Sequence, residues 1–208
     1  MKPSEQISTP PSVFDEIFRK SPDPWGYTTR FYETSKFRAT IRALPKVKFK
    51  NAFEIACAIG VLTEKLAPKC ERLLSVDYSE PGLVEARKRC SHLPQVRFEQ
   101  MQIPQQFPNE KFDLILFSEV GFFLTIPDLL ETKQKIIDAL VPGGYLLMVH
   151  FGLKATDYFL HDGDTVHNTF LENSESSLKH LGDPRKKFFM LDLLGYHKRY
   201  RMDLFQRL

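Results

Sequence analysis

The stretch from Phe53 to Asp77, FEIACAIGVLTEKLAPKCERLLSVD, constrains the fold of this chain more than any other. Phe53-Glu-Ile-Ala-Cys is short and apolar enough for a buried strand. Gly60 then opens a helical run, Val61-Leu-Thr-Glu-Lys-Leu. A second apolar strand, Arg72-Leu-Leu-Ser-Val, ends on Asp77. Strand, small-residue turn, helix and a second strand closing on an acid make half of a nucleotide-binding βαβ unit. The small residues let backbone approach a ligand that larger side chains would obstruct. Asp77, at the carboxyl end of its strand, can accept both hydroxyl protons of a ribose. No phosphate-holding Lys-Ser/Thr pair follows the turn, and Glu54 stands just before it, which argues against a P-loop.

The rest of the chain repeats this alternation. Val13, Phe14, Ile17 and Phe18 share one face of a short helix. Ser21-Pro-Asp-Pro-Trp-Gly breaks it and carries the chain's single tryptophan, Trp25. A second helix is expected from Arg30, with Phe37, Ile41 and Leu44 at helical spacing and Pro45 stopping it. After the opening unit, Ser79 is expected to cap a helix reaching about Cys90, and Val96 to Met101 alternates like a strand. Phe112-Asp-Leu-Ile-Leu-Phe reads as a central parallel strand covered on both faces. A helix from about Asp128 to Leu140 ends at Pro142-Gly-Gly, and Tyr145-Leu-Leu-Met-Val-His forms the fifth strand. In the tail, residues 163–173 suit a helix and residues 172–185 are polar. Two strand-like runs, Phe188 to Leu194 and Tyr200 to Gln206, are too close for anything but an antiparallel hairpin. The expected fold is therefore α/β: a doubly wound seven-stranded sheet, five parallel strands plus a C-terminal antiparallel hairpin, Rossmann-like. It forms one domain, with residues 1–45 a helical cap over the cleft, 46–153 the ligand-binding core and 154–208 the tail helix and closing hairpin.

Composition narrows the function. Hydrophobic content of 42% and charged content of 26% fit a soluble globular chain, and 208 residues suffice for one sizeable core. The net charge of +3 is small and the Lys and Arg are dispersed, so no nucleic-acid face is expected. No apolar run approaches the roughly 20 residues that span a bilayer, so no membrane partner is expected either. The polar, Pro-containing start MKPSEQISTPPS is unlike a signal peptide, and a cytoplasmic location follows as the expectation. Cys57, Cys70 and Cys90 form no CxxC pair and read as reduced, buried thiols. His161 and His167 are six apart, a poor ligand spacing on a helix, so no metal is expected.

Four stretches resemble class I S-adenosylmethionine-dependent methyltransferases, and more narrowly their NodS-like group. They are Asp23-Pro-Trp with Tyr32-Glu-x-x-Lys36; Glu54-Ile-Ala-Cys-Ala-Ile-Gly with the helix after it; Phe112-Asp-Leu-Ile-Leu-Phe-Ser-Glu-Val; and Leu140-Val-Pro-Gly-Gly-Tyr-Leu. The second departs from the usual motif by carrying Ala56 and Ala58 where glycines are common. What the resemblance implies is a cofactor, S-adenosyl-L-methionine, with Glu54 on its methionine amine and Ala56, Cys57 and Gly60 along the methionine and ribose. Asp77 would chelate the ribose and Tyr78 lie beside the adenine. In the turn after strand 3, Met101, Gln102 and Ile103 would border the adenine, with the Gln102 amide accepting a bond where an acid is usual. Trp25 and Tyr32 of the cap and Ser118 after strand 4 complete the expected cofactor contacts.

The implied activity is N-methylation of a small polar acceptor, an amino sugar or oligosaccharide, held in an open groove rimmed by Trp25, Tyr27, Tyr32, Phe122 and Phe123. An amine acceptor must be neutral to attack, so a base helps at neutral pH. Glu119 is the first candidate, for its place after strand 4; His150 and then His167 follow. Two alternatives remain at this stage: a methyltransferase of another small-molecule or macromolecular acceptor, and a non-catalytic interaction module that keeps the fold.

Overall fold

Around the apolar run of β4 (Phe112–Ser118) the whole sheet is built. The computed structural model describes residues 7–152, 158–184 and 200–208. Parallel to β4 lie β1 (Ala52–Ile55) on one side and β5 (Leu140–Phe151) on the other. Beyond β1 follow β2 (Leu73–Asp77) and β3 (Val96–Gln100), also parallel. Beyond β5 the direction reverses: β7 (Tyr200–Arg207) and then β6 (Leu178–Gly182) are antiparallel, giving the order β3-β2-β1-β4-β5-β7-β6. Successive strands step outward in opposite directions from β1 and β4, so their carboxyl ends flank a crevice at the switch point, where open α/β sheets bind ligands.

Side chains of β4 alternate between the two faces, and each face has its own core. Ile115 and Phe117 join Phe53, Ile55 and the helix α5 (Ile126–Ala139), with Phe170 of α6 (Gly163–Leu171). Leu114 and Leu116 join Leu147, Val149, and α3 (Val61–Leu66) on the opposite side. The same side carries α1 (Pro11–Lys20) and α2 (Phe31–Ala43), through Phe14, Phe18 and Phe37. A further helix, α4 (Glu80–Arg89), packs against α1: the Gly82 Cα lies close enough to the Phe18 ring that an added Cβ would sit 3.2 Å from it.

Three local expectations change. Ser79 does not cap α4 with its hydroxyl, which instead donates to Asp15 Oδ1 of α1 at 2.8 Å and ties the cap to the sheet. The fifth strand starts at Leu140 rather than Tyr145. Pairing jumps from Phe112↔Leu140 to Leu114↔Tyr145, so Val141-Pro-Gly-Gly bulges from a strand that continues through it. The outermost strand is β6, in a stretch read as merely polar. An edge strand has little to bury, and residues Lys179, His180 and Leu181 are exposed, so no apolar period marks it. The expected strand Phe188 to Leu194 lies outside the described residues. The three cysteines are free and buried, as expected. Among the described residues no helix is long and apolar enough to cross a membrane.

Candidate active site

The turn after β1 is the local origin of the site. Ala56, Ala58 and Gly60 have φ of 64°, 49° and 77°, so the backbone bends through left-handed conformations that ordinarily select glycine. For each alanine this costs about 1–2 kcal/mol. The compensation is visible in the hydrogen bonds. Asp77 Oδ2 accepts the Ala58 N–H at 2.8 Å, and Oδ1 accepts the Ser79 N–H at 2.9 Å. Beneath the turn, the buried Glu54 Oε2 accepts from Thr63 Oγ1 at 2.6 Å and Ser75 Oγ at 2.7 Å. Burial pushes the Glu54 carboxyl up to about 7, against the pull of those two hydroxyls. Burial likewise raises Asp77 to about 6, against the N–H groups of Ser79 and Ala58. A carboxylate offers about four lone-pair sites, so Asp77 retains acceptor capacity for a diol.

A cavity of about 440 Å³ opens beside this turn, within the range of small-molecule sites. One end is lined by Ala56, Ala58, Asp77, Tyr78, Met101 and Ile103. The other end is reached by Tyr27, Tyr32, Glu33, Lys36, Glu119 and Phe151, with Phe122, Phe123 and Phe159 along the side. Rather than an open groove, it is a roofed one. Phe14 of α1 meets both Tyr78 and Phe123 edge-on, with ring centroids 6.0 and 4.8 Å apart, and the Thr9 N–H donates to the Phe123 carbonyl at 2.9 Å. A side chamber of about 30 Å³, room for one or two waters, extends the cavity past Ala56 toward Glu54, Cys57 and Ser118.

Charge is concentrated at the far end. The Lys36 ammonium, 4% exposed at its side chain, lies 2.7 Å from Glu119 Oε1 and 2.9 Å from Glu33 Oε2. Burial alone would draw the proton off Lys36, but the Glu119 and Glu33 carboxylates outweigh it and hold the ammonium form. Burial raises the Glu33 carboxyl despite Lys36. Glu119 itself adopts a left-handed φ of 56°, and its Oε2 accepts the Phe151 N–H at 3.0 Å. One ammonium thus bridges two carboxylates at this end of the cavity, with the Arg30 guanidinium on the same wall.

Of the residues expected from sequence, Trp25, Tyr32, Ala56, Asp77, Tyr78, Met101, Ile103 and Glu119 line the main cavity. Glu54, Cys57 and Ser118 line the side chamber. Three are elsewhere. Gly60 is the N-cap of α3 behind the turn. Gln102 is exposed between the inward-facing Met101 and Ile103, its side chain on the opposite side of the segment. His150, a candidate base, is fully buried and lines neither cavity nor side chamber. Its Nε2 accepts the Gly121 N–H at 3.1 Å and its Nδ1 contacts His167 Nε2 at 3.1 Å. His167 Nδ1 in turn meets Asp203 Oδ2 at 2.7 Å. Both rings are committed to this chain, which ties β5, α6 and β7 together, and neither faces a ligand. Glu33 and Lys36 had no role assigned from sequence. Their signal was present in Tyr32-Glu-x-x-Lys36, whose i, i+3 spacing puts both on one face of α2, but only the fold brings them to Glu119.

A family model described as Nodulation protein S (NodS) matches residues 16–152. The chain belongs to the NodS family. Nodulation protein S of Rhizobium tropici is 30% identical over 127 residues, covering 60% of this chain and 53% of that protein. The chain thus spans about half the length of that relative. A putative methyltransferase structure from Pseudomonas syringae is 30% identical, with 86% and 100% coverage and a TM-score of 0.69. The structure of N-methyltransferase NodS from Bradyrhizobium japonicum WM9 in complex with S-adenosyl-L-homocysteine superposes with a TM-score of 0.78 at 22% identity, covering 94% and 97% of the two chains. The fold and family are those of S-adenosylmethionine-dependent methyltransferases. The site fits that donor: a small-residue turn beside Asp77 with spare acceptor capacity, and the Glu33 and Glu119 carboxylates at the other end, a polarity that suits a sulfonium.

Proposed function

We propose that this protein transfers a methyl group from S-adenosylmethionine to the amino group of a small polar acceptor, an amino sugar or oligosaccharide. The observation that carries the reading is the continuity of one cavity from Asp77, which would hold the ribose, to the Glu33–Lys36–Glu119 cluster beyond the switch point. Tyr78, Met101 and Ile103 would border the adenine, and the chamber toward Glu54 would take the methionine amine through water. Arg30, a cation on the cavity wall, would pair with the methionine carboxylate. The donor supplies an electrophilic methyl on a cationic sulfur. The protein's part is to orient the acceptor in line with it, about 3–3.5 Å from the methyl carbon, and to exclude water. Trp25, Tyr27 and Tyr32 offer ring faces on which the C–H face of a sugar can stack. Burial pushes the Tyr27 and Tyr32 phenols up, so at neutral pH they remain hydrogen-bond donors.

Calorimetric titration with S-adenosylmethionine and S-adenosylhomocysteine tests the reading. Micromolar binding by wild type, lost in Asp77→Ala, is expected. Wild type that binds neither compound would sink it.

A further inference from the structure

Methyl transfer to an amine at neutral pH is helped by a group that removes the ammonium proton, and the cavity wall narrows the choice. The His150 and His167 rings are buried in their own chain. Lys36 is held protonated by its two carboxylates. Asp77 stands at the other end of the cavity, bonded to the Ala58 and Ser79 N–H groups and assigned to the ribose. Glu119, first choice from sequence, has each oxygen already bonded, Oε1 to the Lys36 ammonium and Oε2 to the Phe151 N–H, so taking a proton would weaken one of two bonds that hold it in place. Glu33 differs. Its side chain is 11% exposed and lines the cavity. Among the described residues its one close partner is Lys36, at Oε2, which leaves Oε1 for a ligand.

We infer that Glu33, and not Glu119, binds the acceptor's amino group through Oε1 and takes its proton, while Lys36 and Glu119 position it. The inference rests on the methyltransferase reading above. An ammonium acceptor gives one proton to Glu33: the N–H bond breaks and a carboxyl O–H forms. The freed nitrogen lone pair attacks the methyl carbon as the C–S bond breaks with its electron pair left on sulfur. The products are a methylammonium and a neutral thioether. Charged groups around Glu33 act in both directions. Lys36 of its own helix, and Arg30 at that helix's start, favour its ionised form, while Glu119 after β4 and burial oppose it. The balance raises the carboxyl above its ordinary value, and the adjacent Lys36 ammonium, 2.9 Å from Oε2, holds it in place.

Two measurements on Glu33→Gln and Glu33→Asp test this, with thermal melts to confirm folding and Glu119→Gln as the comparison. The first needs no acceptor. A carboxylate at the reacting centre favours the sulfonium over the neutral thioether, so Glu33→Gln should lower the preference for S-adenosylmethionine over S-adenosylhomocysteine several-fold, and Glu33→Asp should largely keep it. An unchanged ratio overturns the placement. The second is the pH–rate profile with a panel of primary amines: glucosamine, the fully de-N-acetylated chitobiose, ethanolamine and tyramine. Glu33→Gln should lower kcat/KM roughly 10²–10⁴-fold at neutral pH, and the deficit should shrink at high pH, where the amine is neutral unaided. A deficit constant with pH, an equal pH-dependent deficit in Glu119→Gln, or wild type that binds the donor yet methylates none of the amines would each overturn the inference. Failure of wild type to bind the donor at all would instead remove the reading beneath it.

Discussion

Replacing Lys36 with Met isolates the energetics of the charged cluster. The side chains of Lys36, Glu33 and Glu119 are 4%, 11% and 17% exposed, so solvent screens them poorly. Met keeps much of the aliphatic volume and removes only the charge. Two carboxylates bridged by one ammonium would then face each other in a low-dielectric pocket. Breaking a buried pair by removing one partner costs about 3–5 kcal/mol, which in a domain of this size lowers Tm by roughly 6–20 °C. The pH dependence gives a second, independent signature. In the variant the Glu33 carboxyl, already raised by burial, loses the Lys36 ammonium that held it down, so the folded state binds the extra proton. Stability is then present at acidic pH and is lost as pH rises through the raised folded value. Thermal denaturation of Lys36→Met between pH 4.5 and 8 measures both. A double variant, Lys36→Met with Glu119→Gln, should recover a substantial part of the loss. A drop below about 1 kcal/mol, the value of a surface pair, or a loss independent of pH, would refute the reasoning.

The histidine chain predicts acid sensitivity. Burial, with the neighbouring ring, holds His150 well below its usual value, and burial holds His167 low despite Asp203. The unfolded state therefore takes up protons first; stability is complete above about pH 6.5 and falls below it, by up to about 1.4 kcal/mol per pH unit per ring. Denaturant melts at pH 7.5 and 5.5 should show this slope, and His167→Gln should flatten it. Ala58→Gly relieves a left-handed alanine worth about 1–2 kcal/mol but loosens the unfolded chain by about 0.5–1 kcal/mol. A net gain of several tenths of a kcal/mol in urea unfolding is expected, and a net loss would show that the Ala58 methyl packs favourably. Gly121→Ala would bring a Cβ to 2.4 Å from Val166 Cγ1 and 3.1 Å from His150 Nε2. Overpacking of this kind costs about 1–3 kcal/mol, and because Phe122 and Phe123 follow directly, methyl-donor affinity by calorimetry should weaken alongside.

Much of the candidate site's lining was legible because its signals are local. Asp77 follows from the end of an apolar strand, and the small-residue turn from Ala56, Ala58 and Gly60. Met101 and Ile103 follow from the turn after β3. Gln102, read with them, faces outward because alternation along the chain places it opposite its neighbours. His150 stands at the end of a strand, as a catalytic base can, but a strand end fixes position and not direction. Its ring was claimed by Gly121 and His167, residues 29 and 17 positions away in sequence. Edge strand β6 left no apolar period to read.

The sequence alone determined the alternation of strands and helices, the carboxyl-end placement of Asp77 and Glu119, and the buried character of β4. These depend on hydrophobic period and backbone sterics within a few residues. Only the tertiary structure decided which carboxylates share a cation and which keep an oxygen for a ligand. Glu33 and Glu119 are far apart in the chain, and nothing local records that Lys36 stands between them. Such a contact exists only once α2 has packed over the sheet, where low dielectric makes one ammonium and two carboxylates behave as a unit.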